Sequence, residues 1–334
     1  MTIENSPIDV SVVVPVRDEA NSIRDLLNGL LKQTFVPKEI LITDGGSRDA
    51  TISIIEEFIK RGAPIKLFRE QDSMPGHARN VGAAHASCEW IAFIDAGTIP
   101  QDDWLESLVA RVKTDATVDA VYGAFEPTTD TFFRECAVIT YLPPPTEIEG
   151  RFVPARSIAS ALVRRKAWET VGGFPEDLRS AEDLVFMQRV SEHGFREVRA
   201  PHAVVHWSIQ PTVWRTFRRF VVYARNNIRA GLWREWQRAI FQRYAVLALL
   251  CLPAFFVGAR WLLTVLACWL LLLIARAVNA IRKYRYAAPA GIGRNIARLF
   301  VIVPIIATLD LAAFVGSLHW LLADKLRLIG ARSS

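Results

Sequence analysis

Several acidic residues, a histidine and a group of arginines stand where apolar runs of this sequence begin or end, and such placements can do chemistry. Asp95 closes the apolar run 91–94 and is followed by Ala96 and Gly97. This reads as a strand that delivers a carboxylate to a pocket rim. Enzymes that hold a metal against a diphosphate usually put a second acid two residues later, and here that place is Gly97. Asp44 closes a second apolar run, 40–43, and precedes Gly45 and Gly46. Glycines there let backbone approach a ligand closely, and the carboxylate can accept hydrogen bonds from a base edge or a ribose. Ser47 or Asp49 can alternatively just start the next helix as a cap. Arg79, in PGHARNVGAA, lies near a helix start, where anions bind well, so it can hold a phosphate or diphosphate; the alternative is an exposed surface arginine. Glu182 and Asp183 are adjacent acids at the start of an amphipathic helix. Either one is a general base for an attacking hydroxyl, or both are partners of the helix dipole. His206 ends the apolar run 203–205 and can reach a pocket rim, although a lone histidine is more often structural. Arg215, Arg218, Arg219 and Arg225 share one helix just before the first long apolar stretch. They read as a basic interfacial helix, of which one or two members can also meet a diphosphate.

The elements that must position these residues follow from hydrophobic spacing. Residues 10–15 read as a buried strand, and 39–43, 65–68 and 89–94 as three further strands. Residues 19–33 carry Ile23, Leu26, Leu27, Leu30 and Leu31 at helical spacing, and 49–60 carry Ile52, Ile55 and Ile59 on one face. Helices are also predicted over 76–86 and 102–113. Strands alternating with helices predict an α/β fold with a mostly parallel sheet and helices on both faces. Ligands of such sheets bind at the carboxyl ends of the strands, where Asp44 and Asp95 fall.

The remaining third of the chain has a different character. The whole sequence has 334 residues, 51% hydrophobic and 22% charged, with net charge +6, and its mean hydropathy of +0.20 is concentrated after residue 243. Three apolar spans are predicted at 244–259, 261–281 and 299–323, the first two turning near residues 258–260. Arginine-rich segments precede the first span and separate the second from the third. Three spans put both on the cytosolic side, as the positive-inside rule requires, whereas two would export one of them. Asp310 and His319 interrupt the third span, and Asp310 either pairs with Arg260 or caps a re-entrant turn. The basic charge therefore points to an anionic membrane surface, and the sequence carries no nucleic-acid-binding motif. The start of the chain has neither a basic nor an apolar leader region, so no signal peptide is expected. Cys88, Cys136, Cys251 and Cys268 show no metal-ligand or redox spacing, which argues for a reducing compartment.

Taken in order, VVVPVRDEANSI, EILITDGGSRDAT, PGHARNVGAAHA, WIAFIDAGTIPQDDWL and VGGFPEDLRSAEDLVFMQRV, then His206 and the arginine helix, resemble the family 2 glycosyltransferases, which are nucleotide-sugar dependent and have the GT-A fold. The resemblance covers about residues 10–229. It implies that Pro15, Val16 and Glu19 line the nucleoside site, with Asp44 near the base, and that Arg79 approaches the diphosphate. It makes Asp95 the first acid of the Asp-x-Asp motif, coordinating Mg²⁺ or Mn²⁺, and His206 a distal metal ligand. Asp183 becomes the general base with Glu182 beside it, in a single in-line displacement that inverts the anomeric carbon. Gly97 departs from the motif; since Mg²⁺ uses only one or two protein carboxylates, Asp95 with His206 can suffice, and otherwise Arg218 and Arg219 neutralise the diphosphate without a metal. The membrane-proximal Gln-x-x-Arg-Trp of processive synthases is missing, which favours transfer of a single sugar.

The expectation is thus a GT-A-type mixed, mostly parallel sheet over residues 1–230, a basic interfacial linker helix over 231–243 and a membrane domain over 244–334. The expected activity is an inverting, multi-pass glycosyltransferase of the inner (plasma) membrane with its catalytic domain in the cytoplasm. Its donor is a nucleotide sugar and its acceptor a lipid-linked or other membrane acceptor of cell-surface polysaccharide or glycolipid assembly. A non-catalytic nucleotide-sugar-binding subunit and a processive synthase are the alternatives. The sequence leaves the sugar and the oligomeric state open.

Overall fold

Alternating apolar runs in the front of the chain produce alternating strands and helices, and longer uninterrupted ones produce helices alone behind it. The computed structural model describes residues 8–328. In chain order these form β1 (Val10–Val16), α1 (Ile23–Leu31), β2 (Glu39–Asp44), α2 (Thr51–Lys60), β3 (Ile65–Arg69), α3 (Pro75–His85), β4 (Trp90–Ile94), β5 (Thr98–Pro100), α4 (Trp104–Thr114) and β6 (Ala120–Pro127). There follow α5 (Phe132–Tyr141), β7 (Thr146–Ile148), β8 (Arg151–Val153), β9 (Ser160–Arg164), α6 (Arg165–Thr170), α7 (Glu182–Glu192) and β10 (Glu197–Trp207). The rest is α8 (Val213–Arg229), α9 (Trp233–Trp236), α10 (Arg238–Leu249), α11 (Ala254–Val257), α12 (Trp261–Lys283) and α13 (Ile292–His319), which runs on as a π-helical turn, Trp320–Lys325.

Two compact units result. The first takes the chain up to Thr128 and then Thr146–Ser208. Its main sheet has eight strands in the order β3-β2-β1-β4-β9-β6-β10-β5. Strands β1 to β4 pair in parallel, β9 runs antiparallel between β4 and β6, and β5 runs antiparallel to β10 at the edge. The alternation within β1 shows why both faces are covered. Val10, Val12, Val14 and Val16 join a core under α1, α2 and α4, while Val13 joins the opposite core with Phe186 and Met187 of α7. Strand order reverses between β1 and β4, and the crevice outside their carboxyl ends is where a sheet of this kind offers a ligand site. Helix α1 begins at Ile23 and not at Glu19 as its spacing predicted, because residues 18–22 are used in a loop at that crevice.

The second unit takes Thr129–Pro145 and the chain from Ile209 onward. Three of its helical stretches are long and apolar enough to cross a membrane: Arg238–Val257, Trp261–Lys283 and Ile292–Lys325. The break between the first two falls at Gly258, whose φ of +94° a residue with a side chain rarely adopts. The third stretch starts earlier than its apolar run predicted, because Arg298 lies inside α13 and pairs with Glu135 of α5 instead of marking a loop. Asp310 is buried in this unit and receives both terminal nitrogens of Arg276 on α12 (2.5 and 2.9 Å) and the hydroxyl of Tyr244 on α10 (3.1 Å). Its partner is therefore neither Arg260 nor a re-entrant turn. The facing helices supply a bidentate arginine, the geometry that makes a charge tolerable among apolar side chains.

Candidate functional site

The loops after β1 and β2 are tied together at the crevice. Asp18 bonds to two successive residues of the β2 loop: its N–H donates to Ser47 Oγ (2.9 Å), and its Oδ1 accepts from Arg48 N–H (2.7 Å). Glu19 N–H donates to Thr51 Oγ1 (2.8 Å) and Ala20 N–H to Asp49 Oδ2 (3.0 Å). Ser47 and Asp49 thus serve the neighbouring loop as acceptors and do more than start α2. Asp44 is buried, and its carboxylate accepts from the amides of Gly46 (3.0 Å) and Ser47 (3.1 Å), so it shapes the double-glycine turn from beneath. Val16 points its side chain into the core while its carbonyl accepts from Gly45 N–H (2.8 Å); Pro15 is partly exposed beside it.

The next strand over carries Asp95. Its Oδ1 is 2.6 Å from Arg79 Nη2, and Arg79 Nη1 is 2.6 Å from Glu182 Oε1. Arg79 also lies over the ring of Phe174 at 5.5 Å. Both Arg79 and Glu182 are sealed, with side chains 5% and 6% exposed, whereas that of Asp95 is 42% exposed. The arginine predicted to meet a diphosphate is in fact enclosed between two carboxylates, which makes it the brace of the site. Its position depends on α3 packing tightly on residues 174–175: a Cβ on Gly76 would run into the carbonyl of Pro175. Asn80, one residue on, donates to Phe174 O (2.9 Å) and accepts from Phe174 N–H (2.9 Å) and Trp168 Nε1 (3.2 Å).

Glu182 and Asp183 open α7 directly after Ala181, whose φ of +71° is left-handed without being glycine. A backbone held in this costly region starts the helix turn from which Glu182 reaches Arg79, with Asp183 next to it. Asp183 keeps partial exposure, and its carboxyl is pushed up to about 7, first by burial, then by the adjacent Glu182 charge, with Arg79 opposing. Glu182 Oε2 and Arg79 Nε are buried and have no hydrogen-bond partner among the described residues. The network is therefore not saturated by the protein alone.

Gly97 has an unforeseen neighbour. A Cβ built on it would lie 3.6 Å from Oε1 of Glu19, so a carboxylate from the β1 loop faces the place of the missing second acid. His206 lies on β10 opposite Ile99 of β5, with 44% of its side chain exposed, Nδ1 3.9 Å from Glu126 Oε2 and Nε2 3.5 Å from Gln101 Nε2. Among the described residues no three His, Cys, Asp or Glu side chains form a ready metal cage. An exposed Asp95, with Oδ2 outside its ion pair and Glu19 across Gly97, still fits a hard cation such as Mg²⁺, which binds through one or two carboxylates and relies on substrate phosphates for the rest. Arg218 and Arg219 lie on α8 in the second unit, where Arg219 donates to Tyr223 Oη (2.5 Å) and stacks over its ring.

The structure thus joins Arg79, Asp95, Glu182 and Asp183 in one cluster and sets Glu19 beside Gly97. Sequence reasoning missed the Phe174 platform, the Asn80 clamp and the role of Gly76. The motifs PGHARN and VGGFPED hold all of these residues, and the signal was their shared need for close backbone approach.

Comparison with known proteins agrees with this geometry. The model of glycosyl transferase family 2 matches residues 11–172. Over 193 residues the chain is 32% identical to the glycosyltransferase AglE of Haloferax volcanii, covering 56% of this chain and 62% of that one. It is 30% identical over 214 residues to the pre-mycofactocin glycosyltransferase of Mycobacterium tuberculosis, covering 59% and 42%. The chain therefore spans less than two thirds of the length of either relative. Among solved structures, a mannosyltransferase from Pyrobaculum calidifontis, determined with GDP-Man and Mn²⁺, superposes with a TM-score of 0.56 at 20% identity, covering 95% of this chain and 87% of that one. The shared fold is the GT-A arrangement, a mixed, mostly parallel sheet, here followed by three long apolar helices.

Proposed function

The chain carries a glycosyl transferase family 2 domain, and on that premise we propose that it is an inverting enzyme that moves one sugar from a nucleoside-diphosphate sugar to a membrane-associated acceptor. The observation that carries this reading is the cluster in which Arg79 braces Asp95 and Glu182 while Asp183 stays partly open with a carboxyl pushed up to about 7. A general base works best when its affinity for protons lies near the working pH. Asp183 takes the proton of the acceptor hydroxyl as its oxygen attacks the anomeric carbon. The bond from that carbon to the diphosphate breaks on the opposite face, and the nucleoside diphosphate leaves with the electron pair. Glu182, sealed and bound to Arg79, is a positioning residue. Arg79 keeps Asp95 turned to the crevice and lowers the proton affinity of Asp183. We assign it this bracing role in place of diphosphate binding.

Asp95, with Glu19 across Gly97 and His206 on β10 beside the edge strand β5, would hold a divalent cation, whose charge stabilises the leaving diphosphate. The loops after β1 and β2, with Pro15, Val16, Glu19 and Asp44, form the nucleoside side of the crevice in this reading. Three helices able to cross a membrane support a bilayer anchor on the same chain, which keeps the enzyme at the surface where lipid-linked acceptors concentrate. On this reading residues 1–230 work in the cytoplasm and the helices cross the inner membrane. The Asp183→Asn variant tests the proposal with a panel of labelled nucleotide sugars and a membrane lipid extract. Transfer of label into lipid by the wild type and its loss in the variant are expected. Donor binding without transfer by the wild type would assign the chain to the non-catalytic subunits instead.

A further inference from the structure

The helical unit contains a cavity of about 250 Å³ that the transfer reaction does not use. It lies among α5, α10, α12 and α13, and its polar lining is Arg243, Arg276, Lys283, Asn279, Thr140 and Tyr284. No carboxylate lines it. Arg276 is neutralised from behind by Asp310. Arg243 and Lys283 have no acid within ion-pair distance among the described residues, although other arginines of this unit do: Arg294 and Arg298 hold Glu135, and Arg225 holds Asp324. Two cations with no acid in ion-pair contact therefore share this space, with Asp310 reaching Arg243 only as the more distant charge already paired to Arg276. Its shape is held: the Tyr284 hydroxyl donates to the carbonyls of Leu142 and Pro143 (3.1 and 3.0 Å), which fixes the end of α12 to the segment after α5.

Arg276, Asn279 and Lys283 repeat at helical spacing, so one face of α12 supplies most of the donors. The two turns before Arg276 expose Leu270, Leu271 and Ile274, an apolar surface on which acyl chains can lie. A guanidinium fork and an ammonium side by side are the donors that phosphate oxygens accept best. A choline or ethanolamine group brought into the same space meets cations with no compensating acid. Basic pockets between membrane helices commonly take phosphate-bearing head-groups.

We propose that this cavity binds the phosphate head-group of an anionic membrane lipid. The inference rests on the helical unit lying in a bilayer and is independent of sugar transfer.

The test uses the full chain purified in a neutral detergent and titrated with short-chain phosphatidic acid and, separately, short-chain phosphatidylcholine. Flotation with pure phosphatidylcholine vesicles is measured first; a chain that does not float overturns the membrane reading itself. For a chain that floats, phosphatidic acid is expected to bind at least about tenfold more tightly than phosphatidylcholine. The double variant Arg243→Gln, Lys283→Gln should lose at least about tenfold in phosphatidic acid affinity. The variant Arg282→Gln, Arg285→Gln removes the same charge from exposed residues outside the cavity and should change affinity less than threefold. Arg243→Lys, which keeps the charge, should stay within threefold and shows that loss is not misfolding. Equal losses in both double variants, or none in the cavity variant, overturn the proposal. Competition by inorganic phosphate at concentrations matching the lipid also overturns it, since the cavity would then be a site for free anions.

Discussion

Arg79 and Glu182 are 103 residues apart in sequence and 2.6 Å apart in the structure, with both side chains almost fully buried. The same guanidinium holds Asp95, the strand-end acid of the crevice. One buried cation therefore sets the position of the acid assigned to the cation site and of the helix turn that carries the assigned base.

Replacing Arg79 by Met removes the partner of a sealed carboxylate. Leaving a buried charge uncompensated costs about 3–5 kcal/mol, and the loss should appear as a lowered midpoint in denaturant unfolding. Because Arg79 opposes the rise at Asp183, the variant should also shift the rising limb of the pH–rate profile to higher pH. An unchanged limb would remove Arg79 from the electrostatics of the base.

Gly76→Ala should be damaging out of proportion to its size. The added methyl meets the Pro175 carbonyl, which is backbone and cannot rotate away. Helix α3 must shift, taking Arg79 with it. A loss of about 1–3 kcal/mol is expected for overpacking, with a fall in kcat larger than the change in donor KM. A variant with wild-type kcat would show that α3 has more freedom than its packing suggests.

Removing divalent cations with EDTA should abolish transfer, and Mn²⁺ or Mg²⁺ should restore it. Asp95→Asn should raise the cation concentration needed for half-maximal rate more than His206→Ala does, because a hard cation prefers carboxylate oxygen to a ring nitrogen. Binding of Mn²⁺ in the presence of nucleoside diphosphate, followed by its magnetic resonance signal, reads the same order without turnover. Full activity after verified cation removal would assign neutralisation of the diphosphate to arginines.

In the helical unit, Asp310→Ala leaves Arg276 unpaired in an apolar setting and should lower yield and thermal stability sharply. The double replacement Arg276→Met, Asp310→Leu should recover most of the loss, since an apolar pair of similar volume often matches a buried ion pair. Equal instability of single and double variants would mean that the pair specifies the helix arrangement and does more than balance charge.

Much of the fold was legible because its signals are local. Valines alternating in β1 and leucines at helical spacing in α1 each report a face to be buried. Strand ends were legible too, and with them Asp44 and Asp95. What the sequence could not convey was partnership at long range. Nothing near residue 79 indicates Glu182, and nothing near Gly97 indicates that Glu19 of a different loop faces it. The early start of α13 was hidden for the same reason. Arg298 is a poor residue for an apolar helix until Glu135, far away in sequence, is placed against it.

Asp183→Asn tests the central claim most directly. The substitution keeps shape and removes the base, so nucleotide-sugar binding should persist while transfer falls by at least about a hundredfold. In the wild type, transfer should rise with pH along a limb centred near 7, where the carboxyl loses its proton. The raised proton affinity also carries a stability signature: its contribution is complete below the unfolded carboxyl value and is lost as pH rises through about 7. The asparagine variant should therefore match or exceed wild-type stability above pH 7 and lose that advantage in acid. Transfer at the wild-type rate in Asp183→Asn, with the rising limb unchanged, would contradict the account.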